Sequence, residues 1–229
     1  MRLSIIIPVF NEEKTIEEIL NRVIKVSLPM EKEIIVVNDA SLDNTQKTLI
    51  ELKKQFNFVL IEHKINQGKG AAIKNGLSVV SGDFVLIQDA DLEYDPRDYP
   101  ALLEPLIKGQ ADVVYGSRIL RKNPHSSELY FLGGQFLTRF FNIIFKTHLT
   151  DINTGYKVFK KGILEKLDLK EKRFAFCEEV TSKAVKKGYK ITERPINYSP
   201  RSFKEGKKIR WWKDGFRSLF AIIKYRVMN

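Results

Sequence analysis

Three acids at alternate positions, Asp89, Asp91 and Glu93, follow the apolar run Phe84-Val-Leu-Ile and Gln88. Read as a buried strand that runs out into a loop, this segment projects carboxylates from one edge of a sheet, where a divalent cation and a phosphate can meet. Carboxylates alone repel a nucleotide diphosphate. Asp89 and Asp91 therefore suit one only through a bridging Mg²⁺ or Mn²⁺, for which oxygen ligands are the natural set. Such an ion neutralises a departing diphosphate, which is Lewis-acid catalysis of leaving-group loss. Glu93 is either a further ligand, direct or through water, or an acid at a helix N-terminus. Asp-x-Asp is also a common turn and cap pattern, so the surrounding elements must decide between these uses.

Those elements alternate. Leu3 to Val9 is a continuous apolar strand, and Glu12 to Val26 then carries Ile16, Ile19, Leu20, Val23 and Ile24 at helical spacing. Glu33 to Val37 predicts a second strand, followed by a turn with Ser41 and Asp43 and a helix through Leu49 and Leu52. Phe58 to Ile61 predicts a third strand, a helix opens near Gly68 or Lys69, and Phe84 to Ile87 and Val113 to Tyr115 complete five. This order implies an α/β fold, Rossmann-like, with a mainly parallel sheet flanked by helices on both faces. Ligands of such sheets sit outside the carboxyl ends of the strands. The residues just past each strand are Asn11 and Glu12, Asn38 and Asp39, Asn66 to Gly70, Asp89 and Asp91, then Ser117 and Arg118. Capping accounts for Ser41 and Asp43, but less well for acids and an arginine gathered at one edge.

The second half is less regular. Leu129 to Phe145 places Leu132, Phe136, Leu137, Phe140, Phe141 and Ile144 on one helical face, with Arg139 and Lys146 off it. Tyr156 to Phe159 predicts a short strand, Glu178 to Lys187 a helix and Lys190 to Tyr198 a final strand. Ile209, Trp212, Phe216, Leu219, Phe220 and Ile223 form a last apolar stripe opposite Arg210, Lys213, Arg217 and Lys224. These two stretches fit either packing against the sheet or helices lying at an anionic bilayer surface, and the clustered charge favours the surface.

At 229 residues and 43% hydrophobic content the chain can bury a proper core, and its length suits one domain. A single cysteine excludes an internal disulfide framework and a cysteine-based zinc site, and suits a reducing interior. No signal peptide is evident after Arg2, and the uncharged stretch Leu129 to Thr138 falls short of the ~20 residues of a membrane span. The formal net charge is +11, and Arg201 to Asn229 holds nine Lys or Arg against Glu205 and Asp214. No helix-turn-helix, zinc-finger or RNA-recognition signature accompanies it, so the tail calls for an anionic partner at one edge rather than a nucleic acid.

Together these segments resemble the family 2 glycosyltransferases of the GT-A fold. The resemblance rests on Ile-Ile-Ile-Pro8-Val-Phe-Asn11-Glu12, Val-Val-Asn38-Asp39-Ala-Ser-Leu-Asp43, Asn66-Gln-Gly68-Lys69-Gly70-Ala, Asp89-Ala-Asp91 and Gly116-Ser-Arg118. The subgroup that uses dolichyl or polyprenyl phosphate is similar in Leu149-Thr-Asp151-Ile-Asn-Thr-Gly155-Tyr-Lys-Val-Phe159, in Phe174-Ala-Phe-Cys-Glu-Glu179-Val-Thr and in Pro200-Arg201-Ser-Phe-Lys-Glu-Gly206-Lys207-Lys208-Ile209.

The resemblance implies a catalytic domain over residues 1–200, with a nucleotide-sugar half (1–118) and an acceptor half (119–200). A basic loop and an amphipathic membrane-surface helix would occupy 201–229. It implies that Pro8, Phe10 and Glu12 line the base and ribose, that Asp39 holds the base, and that Lys69 belongs to the donor site. Asp89 and Asp91 would hold the metal, with Glu93 where the mannose enzymes often carry Gln. Arg118 would meet the acceptor phosphate, while Arg201 with Lys207 or Lys208 clamps the donor diphosphate. Glu179 is a base for a hydroxyl acceptor, a ligand for a sugar hydroxyl or a structural acid; the reading leans towards the site.

Two departures stand out: Asn38 precedes Asp39 where many relatives pair aspartates, and Gly134 and Thr138 occupy positions where an arginine and a serine are usual. The second puts another arginine on the acceptor phosphate in question, with Arg139 as a substitute.

The implied activity is inverting transfer of a hexose from a GDP- or UDP-linked donor to a polyprenyl or dolichyl phosphate, by a cytoplasmic protein peripheral to the inner membrane face. A hydroxyl-acceptor glycosyltransferase is the nearer rival. A sugar nucleotidyltransferase lacks its glycine-rich loop after the first strand, a non-enzymatic nucleotide-sugar binder predicts binding without turnover, and Gly68 to Gly76 does not supply a dinucleotide fingerprint.

Overall fold

The computed structural model describes residues 1–173, 175–201 and 211–228 of the chain. Phe174, Lys207, Lys208, Ile209 and Arg210, all used in the sequence reading, lie outside the described residues, as do the side chains of Trp211, Trp212 and Lys213. Seven strands form one sheet in the order β3-β2-β1-β4-β6-β5-β7. They are β1 (Arg2–Val9), β2 (Glu31–Asn38), β3 (Val59–Glu62), β4 (Phe84–Ile87), β5 (Val113–Ser117), β6 (Lys157–Lys160) and β7 (Ile191–Pro195). The helices are α1 (Ile16–Lys25), α2 (Thr45–Lys53), α3 (Lys69–Leu77), α4 (Tyr99–Ile107), α5 (Glu128–Phe145), α6 (Lys161–Lys166), α7 (Phe176–Lys186) and α8 (Trp211–Val227).

The continuous apolar runs are explained by burial on both faces of the sheet. Alternate residues divide between two cores. Leu3, Ile5 and Ile7 of β1 meet Ile16, Ile19, Leu20 and Val23 of α1 on one face. Ile6 turns to the other, with Ala72 and Ile73 of α3 and Val180 of α7. β4 divides likewise, Phe84 and Leu86 to the first core and Val85 and Ile87 to the second.

The sheet is mainly parallel, as expected, with one exception that matters for the site. β4 and β5 do not touch; β6 lies between them and runs antiparallel to both, with Ile87 opposite Lys157 and Phe84 opposite Lys160. The N-terminal end of β6 therefore stands beside the C-terminal end of β4. The segment leading into it, 150–156, reaches the same edge as the loops that follow the parallel strands. β7 pairs parallel with β5 and sends residues 196–201 to that edge as well.

A third cluster joins Phe141 and Phe145 of α5 to Ile152 and to Ile222 of α8. The stripe predicted on α8 is not the face that packs: Ala221, Ile222 and Tyr225 are buried, while Phe216, Phe220, Ile223 and Val227 stand in solvent. On α5 the predicted stripe splits. Phe141 is buried, whereas Leu132 and Phe136 join Leu129 and Ile143 as exposed apolar side chains. No helix among the described residues is long and apolar enough to cross a membrane.

Candidate active site

The polar residues past the strands meet at one edge. Glu12 is brought there by a tight turn after β1: Asn11 has φ 52, its amide donates to Ser41 Oγ at 2.9 Å, and its Oδ1 accepts from Leu42 N at 2.7 Å. Pro8 and Phe10 are half-buried beside it. Asp39, expected to hold the base, organises a turn. Oδ1 accepts from Gln67 N at 2.8 Å and faces His63 Nδ1 at 2.6 Å, and Oδ2 accepts from Gly68 N at 2.7 Å. Asp39 is 2% exposed, so its charge is directed into the protein. The turn it fixes has Gly68 at φ 99, a conformation that favours glycine, and it starts α3 with Lys69 at the edge.

Lys69 Nζ lies 2.5 Å from Asp89 Oδ1. Burial alone would lower the Lys69 pKa, but the Asp89 carboxylate holds it above the ordinary lysine value. Asp91 Oδ1 accepts from Glu93 N at 3.1 Å, and its Oδ2 faces Arg201 Nη2 at 3.3 Å. Its pKa is pushed up to about 7 by burial first and then by the charges of Asp89 and Glu93. Glu93 is turned towards the C-terminal segment: it accepts from Tyr198 Oη at 2.8 Å and from Arg201 N at 2.9 Å. Arg201 also grips Glu12, Nη1 to Oε2 at 2.9 Å and Nη2 to Oε1 at 3.2 Å.

Among the described residues no group of three His, Cys, Asp or Glu side chains is gathered to hold an ion. The donor chemistry nevertheless fits a divalent cation. Two hard carboxylates, Asp89 and Asp91, lie near one another beside Lys69 and Arg201, and after burial the charge of Asp89 is the next cause that raises the Asp91 pKa.

The other wall comes from the segment before β6. Arg118, just past β5, is locked to Asp151 in a two-point pair, Nε to Oδ2 at 2.7 Å and Nη2 to Oδ1 at 2.8 Å. Burial opposes the charge of Arg118, yet Asp151 keeps it firmly protonated. The Asp151 backbone is itself held: Glu193 of β7 accepts from Thr150 N at 2.8 Å and from Asp151 N at 3.0 Å. The guanidinium stacks 5.2 Å from the centre of the Tyr198 ring. Tyr94 stands between the two walls, its hydroxyl accepting from Gly155 N at 3.0 Å and its ring against Tyr156 and Tyr198. Gly155 lies so close to Asp89 and Lys69 that a Cβ there would collide with the carboxylate.

Glu179, towards which the sequence reading leaned for a site role, is fully buried and accepts from Lys170 N, Glu171 N and Lys183 Nζ. These contacts are those of an acid that braces the backbone at residues 170–171. Sequence reasoning gave no role to Asp151, Tyr198, His63 or Glu171. Asp151 and Tyr198 lay within segments already singled out, but only their three-dimensional partners reveal their use.

Residues 4–168 match the model of "Glycosyl transferase family 2". The chain belongs to that family. This family 2 glycosyltransferase is 30% identical, over 94% of its length, to the low-salt glycan biosynthesis hexosyltransferase Agl6 of Haloferax volcanii, and 29% identical, over 90%, to a dolichol-phosphate mannosyltransferase of Pyrococcus furiosus. It spans 51% and 59% of those two proteins. It is also 29% identical to the UDP-N-acetylglucosamine–dolichyl-phosphate N-acetylglucosaminyltransferase of Methanococcus voltae, over 96% of this chain and 94% of that one. The fold is GT-A: glucosyl-3-phosphoglycerate synthase of Mycobacterium tuberculosis superposes with a TM-score of 0.77 at 17% identity, covering 99% of this chain and 80% of the other. That synthase has been crystallised with UDP and Mn²⁺ or Mg²⁺.

Proposed function

We propose that this glycosyltransferase moves a hexose from a GDP- or UDP-linked donor to a polyprenyl or dolichyl phosphate, with inversion at the anomeric carbon. The observation that carries the reading is the placement of two cationic stations on either side of the acidic pair. Lys69 and Arg201 flank Asp89 and Asp91, and Arg118 stands on the opposite wall beside Tyr94. The first suits the diphosphate of a donor and the second the phosphate of an acceptor. The relatives from Pyrococcus furiosus and Methanococcus voltae bear names that couple a dolichyl phosphate to a sugar.

Asp89 and Asp91 are the residues to hold a Mg²⁺ or Mn²⁺, which when bound supplies positive charge to the diphosphate leaving group. Lys69 stays protonated beside Asp89 and adds a fixed charge. Arg201 releases Glu12 and Asp91 to meet phosphate oxygens, joined by Lys207 and Lys208, which lie outside the described residues. Arg118 orients the acceptor through the nitrogen that Asp151 leaves unused. Asp151 acts as its splint, since both of its oxygens are bound to the guanidinium. A phosphate oxygen is already anionic near neutral pH and attacks the anomeric carbon as the bond to the diphosphate breaks. No strong general base is required, which agrees with a buried, fully hydrogen-bonded Glu179. Catalysis then rests on positioning and charge neutralisation.

The exposed stripes extend the reading to a bilayer surface. Phe216, Phe220, Ile223 and Val227 share one face of α8, and Leu129, Leu132, Phe136 and Ile143 share one face of the adjoining α5. An interfacial helix buries such a stripe among headgroups and acyl chains.

A panel of GDP- and UDP-sugars with polyprenyl phosphate and Mg²⁺ or Mn²⁺ tests the activity, read by mass spectrometry of the lipid. A lipid-phosphate sugar is expected; a product formed only on free sugars or glycans would replace this acceptor with a hydroxyl. In the same preparation, Phe216→Ser with Phe220→Ser should reduce sedimentation with anionic vesicles, and unchanged sedimentation would remove the membrane surface from the proposal.

A further inference from the structure

Two buried or half-buried acids take no part in the chemistry above, and both grip the same loop. Residues 170–173 lie across the start of α3. Lys172 O accepts from Ala71 N at 3.0 Å, a Cβ on Gly68 would stand 2.5 Å from that same carbonyl, and the Glu171 carbonyl packs directly on Gly70. The turn that carries Lys69 is thus bounded by Asp39 on one side and by the 170–173 backbone on the other.

That backbone has two anchors. Glu179 of α7 holds it from the core, accepting from Lys170 N at 2.7 Å and Glu171 N at 2.8 Å, with Lys183 Nζ supplying the counter-charge at 2.7 Å. The Glu171 side chain reaches the opposite way, to α8. Its Oε1 accepts from both Lys224 Nζ and Tyr225 Oη, each at 2.8 Å. Burial would raise the Glu171 pKa, but these two donors hold it below the usual carboxylate value, so the clasp is ionic. α8 is seated independently by Ile222 in the α5 cluster and by Lys186 Nζ on the Tyr225 carbonyl at 3.3 Å.

We propose that Glu171 is a positioning residue that couples the docking of α8 to the geometry of the 68–70 turn, and through Lys69 to affinity for a nucleoside diphosphate. The coupling rests on the reading of Lys69 as a donor-phosphate group. α8 joins to the site by contiguous contacts, charge-assisted at both ends: Tyr225 and Lys224, then Glu171, then the backbone carbonyls against Gly68 and Gly70, then Lys69 on Asp89. A helix whose exposed face suits a lipid surface is thereby wired to the donor loop. Linkage makes the effect reciprocal, so a bound nucleotide tightens α8 by the factor with which docked α8 tightens the nucleotide.

The test uses the full chain and two variants, Glu171→Gln and the pair Lys224→Met with Tyr225→Phe, titrated calorimetrically with GDP and UDP in the presence of Mn²⁺. Each variant should bind the preferred nucleotide about tenfold more weakly, within the usual range of coupling factors, while keeping a wild-type melting temperature to within a few degrees. In hydrogen exchange, nucleotide should protect the amides of residues 216–227 in the wild type and fail to do so in Glu171→Gln. Wild-type affinity in both variants, or equal protection of α8 with and without the Glu171 carboxylate, overturns the coupling. If Glu171→Gln does not fold, the α8 pair decides alone, because it leaves Glu171 in place. A wild type that binds neither nucleotide overturns the donor assignment instead. The clasp is then judged by exchange at residues 68–72, where faster exchange in Glu171→Gln supports it and unchanged exchange sinks it.

Discussion

In the half of the sheet made by β1 to β4, the site residues follow parallel strands, and the chain delivers them in order: Glu12, Asp39, Asp89, Asp91. In the half made by β5 to β7 the strand next to β4, β6, is reversed, and the half contributes residues before β6, as Asp151 and Gly155, or after β7, as Tyr198 and Arg201. The first half holds the acids and the lysine beside them. The second braces Arg118, fits a glycine against Asp89 and lays a tyrosine and an arginine over the acids. The difference teaches a division of labour: the regular half contributes the acids and Lys69, and the reversed half contributes Arg118 and Arg201 together with the groups that orient them.

Substitutions can break this division. The largest effect is expected in the parallel half, where Asp91→Asn should lower transfer by at least about a hundredfold, the scale of removing a group that stabilises developing charge. Loss of less than tenfold in lipid-product formation would deny Asp91 that role.

In the reversed half, Arg118→Ala should weaken both function and fold. It strands Asp151, whose side chain is 4% exposed, and the cost should be on the order of 2 kcal/mol, at the low side for a broken buried pair because Arg118 keeps 24% of its own exposure. Arg118→Lys should recover much of the melting temperature yet retain a raised acceptor KM, since an ammonium cannot reproduce the two-point pair. Full recovery of KM with Lys would make Arg118 a simple point charge.

The smallest effect is expected where α7 meets α8. Glu178 is buried, its Oε2 has no hydrogen-bond partner among the described residues, and burial first of all raises its pKa, against a bond from Ser218. A raised folded-state pKa means that the neutral acid favours the fold. Ionisation therefore destabilises it progressively as pH climbs above the unfolded-state value of about 4.3 towards the folded one. Glu178→Gln stays neutral throughout, so its melting temperature should exceed the wild type by more at pH 8 than at pH 5. An advantage that is flat with pH would show that the fold does not raise the Glu178 pKa.

The parallel half was also the more legible in the sequence. Strand ends there are marked by apolar runs that stop at Asn, Asp or Glu, and the ligand rule for parallel sheets then predicts which residues gather. The rule says nothing of a strand inserted backwards, so Asp151 was noted as part of a motif while its grip on Arg118 was not foreseen. Helical spacing gives the positions of α5 and α8 but does not separate a packing face from an exposed one, because Phe and Leu on an exposed stripe have the same periodicity as Phe and Ile in a core. The sequence points to a ligand for Asp39, and for Glu93 and Glu179 to either a ligand or a structural place. Their partners are mostly backbone amides, which a sequence does not distinguish from one residue to the next. His63 and Glu171 carried no signal at all, since a single histidine or glutamate acquires meaning only from what the fold sets beside it.

The reversed strand also has a consequence for the order in which the protein is made. β3, β2, β1 and β4 can pair as soon as the chain has been synthesised through Ile87, but the far side of β4 waits for residues 157–160. Until then Phe84 to Ile87, apolar at every position, forms an open edge with unpaired amides and carbonyls on a nascent chain. At ordinary elongation rates of about 5–20 residues per second the gap lasts several seconds. During that interval the future acidic site sits at the end of a strand exposed to aggregation, and chaperone demand for this enzyme should peak between synthesis of β4 and of β6.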